Sequence, residues 1–150
     1  MAELTLAPSS ARFSLRGDVA AGCAAFGVPA PATLRAATRG DRSALWLGPD
    51  EAMLLAPFGT AMPDGDFAVV DIGERQVAWH LAGRGAEAML AAGCPLDLAR
   101  FGVGGCTRTV LGKAEIMLWR TAPFAWHLEV WRSFSAYAEA LLRQAGRDWT

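Results

Sequence analysis

The chain has 150 residues with 14 basic and 15 acidic side chains, a net charge of -1, and its basic residues are scattered along its length. No concentrated positive footprint is available for a phosphate backbone, so nucleic acid is excluded as the main ligand. Residues are 53% hydrophobic, only 19% are charged and six are Trp, a balance that leaves apolar surface for a partner to meet.

The first ten residues carry neither the basic start nor the apolar stretch of a signal peptide, and no later run approaches the roughly 18 apolar residues of a membrane span. A cytoplasmic location, away from membranes, is expected. Cys23, Cys94 and Cys106 are odd in number and contain no Cys-x-x-Cys pair, which argues for buried, reduced thiols over a disulfide framework or zinc knuckle.

In chain order, Arg12 to Arg16 reads as a short strand. Gly17-Asp18 then caps a helix on which Val19, Cys23 and Phe26 recur at helical spacing before Gly27. Strands are expected at Thr33 to Ala37, Ser43 to Leu47 and Ala52 to Ala56, the last two joined by a tight turn at Gly48-Pro49-Asp50-Glu51. One domain spanning 1–150 is expected, and the turn-rich stretch 59–66 is where a break between two halves would fall.

Phe67 to Asp71 and Gln76 to Ala82 read as paired strands around Gly73-Glu74, with Val77, Trp79 and Leu81 alternating against Gln76, Ala78 and His80. Ala86, Met89 and Leu90 mark a helix. Thr107 to Leu111 and Ala114 to Arg120 flank Gly112-Lys113 as a tight hairpin, and Phe124 to Trp131 adds a third strand. A final helix starts at Ser133 or Ser135 and carries Phe134, Tyr137, Ala138, Leu141, Leu142 and Ala145 on one stripe. The fold class is α+β, with antiparallel sheets and a few packed helices.

Within the hairpin, Ile116 and Leu118 point to one face while Met117 and Trp119 point to the other; Trp126 and Trp131 likewise oppose each other. The C-terminal helix covers one face. The other is expected either to meet another subunit or to be buried by sheet-on-sheet packing inside the chain. On the first reading Met117, Trp119, Arg120, Trp131, Arg132 and Arg108 are the interface candidates.

Signals for chemistry are few. Gly83-Arg84-Gly85-Ala86-Glu87-Ala88 fits G-x-G-x-x-A, but the strands around it alternate and no acidic residue lies about 20 positions on to hold a ribose, so it reads as a plain strand-to-helix turn. His80 or His127 paired with Cys94 or Cys106 would make a base and a thiol nucleophile. Each histidine lies on an alternating strand, where a packed side chain is the ordinary reading, and no catalytic, cofactor-binding or metal residue is assigned.

Several blocks carry a family resemblance. They are Leu45-Trp46-Leu47-Gly48-Pro49-Asp50-Glu51 with Met53-Leu54-Leu55; Val70-Asp71 through Arg75-Gln76-Val77; Ala91 through Leu98; and Cys106-Thr107-Arg108-Thr109 through Leu111-Gly112-Lys113-Ala114-Glu115, Leu118-Trp119-Arg120 and Val130-Trp131-Arg132-Ser133-Phe134. In this order they resemble the sarcosine oxidase γ-subunit family, with departures at Ala52, where a longer aromatic is expected, and at Glu74, where a histidine is.

The resemblance implies a fold similar to the aminomethyltransferase folate-binding domain. It also implies a non-catalytic role in a heterotetramer with α, β and δ subunits that oxidatively demethylates sarcosine to glycine and passes the one-carbon unit to tetrahydrofolate. FAD, FMN, NAD and tetrahydrofolate are then expected in the partner subunits, with no cofactor in this chain. The alternative is a folate- or pterin-binding module in one-carbon transfer, which needs a concave apolar pocket with a few placed polar groups.

Overall fold

The computed structural model describes residues 2–147 and divides into two compact units. One is formed by the residues up to Pro8 together with the chain from Arg75 onward, the other by Ser9–Glu74. The stretch 59–66 lies inside the second of these.

The chain opens with β1 (Ala2–Leu6), a strand that its composition did not announce. The Ser9–Glu74 unit follows with β2 (Ser10–Arg16), α1 (Val19–Phe26), β3 (Ala36–Arg39), β4 (Arg42–Gly48), β5 (Glu51–Pro57) and β6 (Ala68–Asp71). Its five strands form one antiparallel sheet in the order β3-β4-β5-β2-β6. The Asp18 carboxylate accepts a hydrogen bond from the Ala21 amide at 3.0 Å, and Gly27 ends α1 in the left-handed conformation, a conformation glycine adopts without steric penalty.

Phe13, Leu15, Ala52, Leu54 and Ala56 face α1, whose Cys23 and Phe26 complete this core. The strand expected at Thr33 to Ala37 starts later, at Ala36. Leu34 holds a positive φ of 59° and the Arg35 amide bonds back to the Ala32 carbonyl, so the segment turns before it can pair. On the opposite face of the sheet, Arg12, Ser43, Leu45, Met53 and Leu55 are also buried.

The other unit continues with β7 (Gln76–Gly83), α2 (Ala86–Ala91), β8 (Cys106–Leu111), β9 (Ala114–Ala122), β10 (Ala125–Trp131) and α3 (Ser135–Arg147). Its antiparallel sheet runs β1-β7-β10-β9-β8. The expected pairing of the strands around Gly73-Glu74 does not occur: β6 pairs with β2, whereas β7 lies between β1 and β10. The reason is that the chain passes from one unit to the other between residues 74 and 75, so a short connection does not close a hairpin.

The hairpin at Gly112-Lys113 forms as expected. Gly112 takes a φ of 60°, and the Tyr137 hydroxyl accepts a hydrogen bond from the Lys113 amide at 2.9 Å, tying α3 to the turn. Trp79, Leu81, Ile116, Leu118, Trp126, Leu128 and Val130 form the covered face of this sheet. They pack in one cluster with Met89 and Leu90 of α2 and with Ala138, Leu142 and Ala145 of α3. Burial of large apolar side chains at about 1.5–3 kcal/mol each is the main force holding these layers together.

Candidate functional site

The opposite face of the β1-β7-β10-β9-β8 sheet is where polar groups collect. Strand alternation puts His127 and Glu129 of β10 on it together, two residues apart. Across the ladder His127 faces His80 on β7 and Trp119 on β9, and Trp119 in turn faces Cys106 on β8. One row along, Glu129 faces Ala78 and Met117, and Met117 faces Arg108.

Three of these side chains form a hydrogen-bonded chain. His80 Nε2 lies 3.0 Å from His127 Nδ1, and His127 Nε2 lies 2.6 Å from Glu129 Oε2. Glu129 is 1% exposed and His127 is buried, whereas His80 opens to solvent. A carboxylate acceptor requires His127 Nε2 to carry a hydrogen, which leaves Nδ1 of the neutral ring with its lone pair toward His80. Burial lowers the His80 pKa below its ordinary value; His127 adds to the drop, and Glu129 works against it. The Trp119 ring packs on His127 with centroids 5.5 Å apart.

This grouping was not legible in the sequence, where His80 and His127 are 47 positions apart. The thiol arrangement weighed there does not form. Cys106 and His127 lie on opposite sides of Trp119 in the same row, two strand spacings or about 10 Å apart. Cys94 is buried with its Sγ 3.8 Å from the Thr109 hydroxyl. The glycine turn at 83–85 leads into the six-residue α2, whose start has no side-chain cap. Among the described residues, no group of three or more His, Cys, Asp or Glu stands together as a metal cage.

The six interface candidates fall into different settings. Met117 is 4% exposed, packed within the chain. Trp119 is half-buried against His127. Arg120 is committed to its own unit. Its Nη1 donates to the Phe101 carbonyl at 2.5 Å and Nη2 to the Pro123 carbonyl at 2.7 Å, and its guanidinium lies 4.9 Å from the Trp126 ring centre.

The remaining candidates are outward-facing. Trp131 is 45% exposed, with the Arg75 guanidinium 4.7 Å above its ring. Arg132 is exposed beside it, and its amide donates to the Arg75 carbonyl at 2.8 Å. Phe134, 43% exposed, follows in the same turn. Arg108 is exposed on the edge strand β8. The structure therefore joins Trp131 and Arg132 with Arg75 and leaves Arg120 apart.

The sequence profile described as "Sarcosine oxidase, gamma subunit family" matches residues 16–148. The chain belongs to this family. The profile takes in all of the β4–β5 turn and the β8–β9 hairpin, the segments on which the sequence resemblance rests.

Curated relatives agree. The sarcosine oxidase subunit gamma of Corynebacterium sp. strain P-1 is 33% identical over 103 residues, 62% of this chain and 51% of that protein. Its counterpart in Corynebacterium sp. strain U-96 is 34% identical over 131 residues, 79% of this chain and 63% of that protein. The chain thus spans about half to two-thirds of the length of these relatives. Among solved structures, a chain of the heterotetrameric sarcosine oxidase from Corynebacterium sp. U-96, determined with pyrrole 2-carboxylate, superposes with a TM-score of 0.88 at 29% identity, covering 98% of this chain and 84% of that one. The γ-subunit family fold is therefore α+β with two antiparallel sheets, as the sequence led us to expect.

Proposed function

We propose that this γ-family chain is the small, non-catalytic subunit of a heterotetrameric sarcosine oxidase, in which sarcosine is oxidatively demethylated to glycine and the one-carbon unit passes to tetrahydrofolate. Its partners are the α, β and δ subunits, and FAD, FMN, NAD and tetrahydrofolate belong to those partners. The location that fits is the cytoplasm; no helix among the described residues is long and apolar enough to cross a membrane.

The observation that carries this reading is the match, over 98% of the chain, to a chain taken from the assembled oxidase. The surface chemistry fits a contact role. Trp131, Arg132 and Arg75, with the nearby Phe134, combine an arginine-stacked tryptophan with exposed aromatic area, the composition that dominates binding energy at protein interfaces. Arg108 on the β8 edge extends the proposed contact.

Co-expression with the neighbouring genes and affinity capture of this chain tests the proposal. Recovery of flavin-carrying partners supports it, and recovery of the chain alone overturns it. In the assembled complex, Trp131→Ala is expected to weaken capture of partners at least tenfold while leaving the chain's own unfolding midpoint unchanged, because a half-exposed ring contributes little to the core.

A further inference from the structure

We propose that His80 and His127 form a two-nitrogen site for a divalent transition-metal ion of the copper or nickel type, with Glu129 as the positioning residue behind it. The two histidines are directly opposed on neighbouring antiparallel strands, so the backbone holds both rings on one face. Their facing nitrogens are 3.0 Å apart. With metal–nitrogen bonds of about 2.0–2.1 Å, that separation subtends an angle of about 94° at an ion placed between and slightly beyond them. This suits the right-angle positions of square-planar or octahedral Cu2+ and Ni2+, whereas tetrahedral Zn2+ would need the nitrogens about 3.3 Å apart.

Three further features support a site. The buried Glu129 carboxylate, 2.6 Å from His127 Nε2, fixes the hydrogen on that nitrogen and turns the other, Nδ1, outward as a ligand; metal-bound histidines are usually held in this way by a carboxylate or carbonyl on their second nitrogen. Trp119 packs on His127 and restricts its ring. With both rings neutral, the hydrogen-bonded chain leaves one facing nitrogen on each ring for an ion that enters where His80 reaches solvent. Binding exchanges the ring–ring hydrogen bond for two metal–nitrogen bonds, with the His80 hydrogen placed on Nδ1 and no net proton released. Because His80 opens to solvent, water fills the remaining coordination positions.

The test is calorimetric titration of the tag-free full-length chain with NiCl2 at neutral pH, together with electron paramagnetic resonance of the CuCl2-loaded chain. One equivalent of saturable binding is expected, with a copper spectrum showing coupling to two imidazole nitrogens. His80→Gln changes an exposed side chain and leaves the fold in place; it should weaken binding at least tenfold and reduce the coupling to one nitrogen. Glu129→Gln should weaken it about 10- to 100-fold. No saturable binding, or binding that His80→Gln leaves unchanged and that therefore sits elsewhere on the chain, overturns the proposal.

Discussion

Arg120 separates a structural role from an interfacial one, and the structure sets the size of the difference. Replacing it by Ala removes two charge-assisted hydrogen bonds, to the Phe101 and Pro123 carbonyls, and the stacking over Trp126. At a half-buried position each such bond falls at the low end of its range, about 1.5 kcal/mol, and the stacking adds about 0.5–1 kcal/mol. Against this, the buried Arg120 Nε has no hydrogen-bond partner among the described residues; deleting it recovers about 1–2 kcal/mol of desolvation cost. The net loss is about 1.5–3 kcal/mol. With a urea dependence of about 2 kcal/mol per molar, the unfolding midpoint of the full chain, followed by tryptophan fluorescence, should fall by about 0.8–1.5 M. Arg120→Lys should recover at most half, since one ammonium does not reach both carbonyls with the fork geometry of a guanidinium. A midpoint within about 0.2 M of wild type, combined with lost capture of partner subunits, would refute this reasoning and return Arg120 to the interface.

Other predictions rest on single contacts. Leu118→Ala empties a fully buried position in the sheet–helix core and should cost about 2–5 kcal/mol, seen as a large drop in urea midpoint; a change below 1 kcal/mol would mean that the core closes over the gap. Gly112→Ala forces a left-handed φ on an L-residue and drives its Cβ onto the Tyr137 hydroxyl. A loss of at least about 1–2 kcal/mol follows, or roughly 3–8 °C in a thermal melt, and an unchanged melt would disprove the latch between α3 and the hairpin. Burial raises the Cys23 thiol to about 11 from 9.0. Because the folded value lies above the unfolded one, the stability this group contributes is intact below pH 9 and is lost as pH rises through 11. Up to about 3 kcal/mol is at stake. Cys23→Ala should therefore flatten part of the fall in urea midpoint between pH 8.5 and 10.5; identical slopes for wild type and variant would rule the linkage out.

Much of the fold was legible because local chemistry and tertiary structure agree at many places. The Asp18 cap, Gly27 stop, Gly112-Lys113 turn and period-2 alternation of β9 each specify their element without help from distant residues. Readings failed where the deciding partner is remote. β1 is short and edge-lying, and it becomes a strand only by pairing with β7, some 80 positions on. β6 and β7 look like a hairpin locally, yet each belongs to a different sheet. Leu34 adopts a backbone conformation that its side chain disfavours, which no propensity would indicate.

The uncovered face of the C-terminal sheet shows the limit most clearly. Alternation separated Met117 and Trp119 from Ile116 and Leu118, but it left open whether a face not covered by helices meets a partner or is buried within the chain. In the structure that face carries Glu129, His127 and Met117 in buried positions. A buried carboxylate is tolerated only when hydrogen-bonded, and it is the His127–His80 chain that meets this need and carries it to the surface. His127 thus links the buried Glu129 to the solvent-facing His80. Trp131 and Phe134 are exposed at its margin, where the strand ends and the backbone turns into α3. If assembly uses this margin, substitutions at Trp131 should disturb partner capture without touching the histidine chain, and substitutions at His80 should do the reverse.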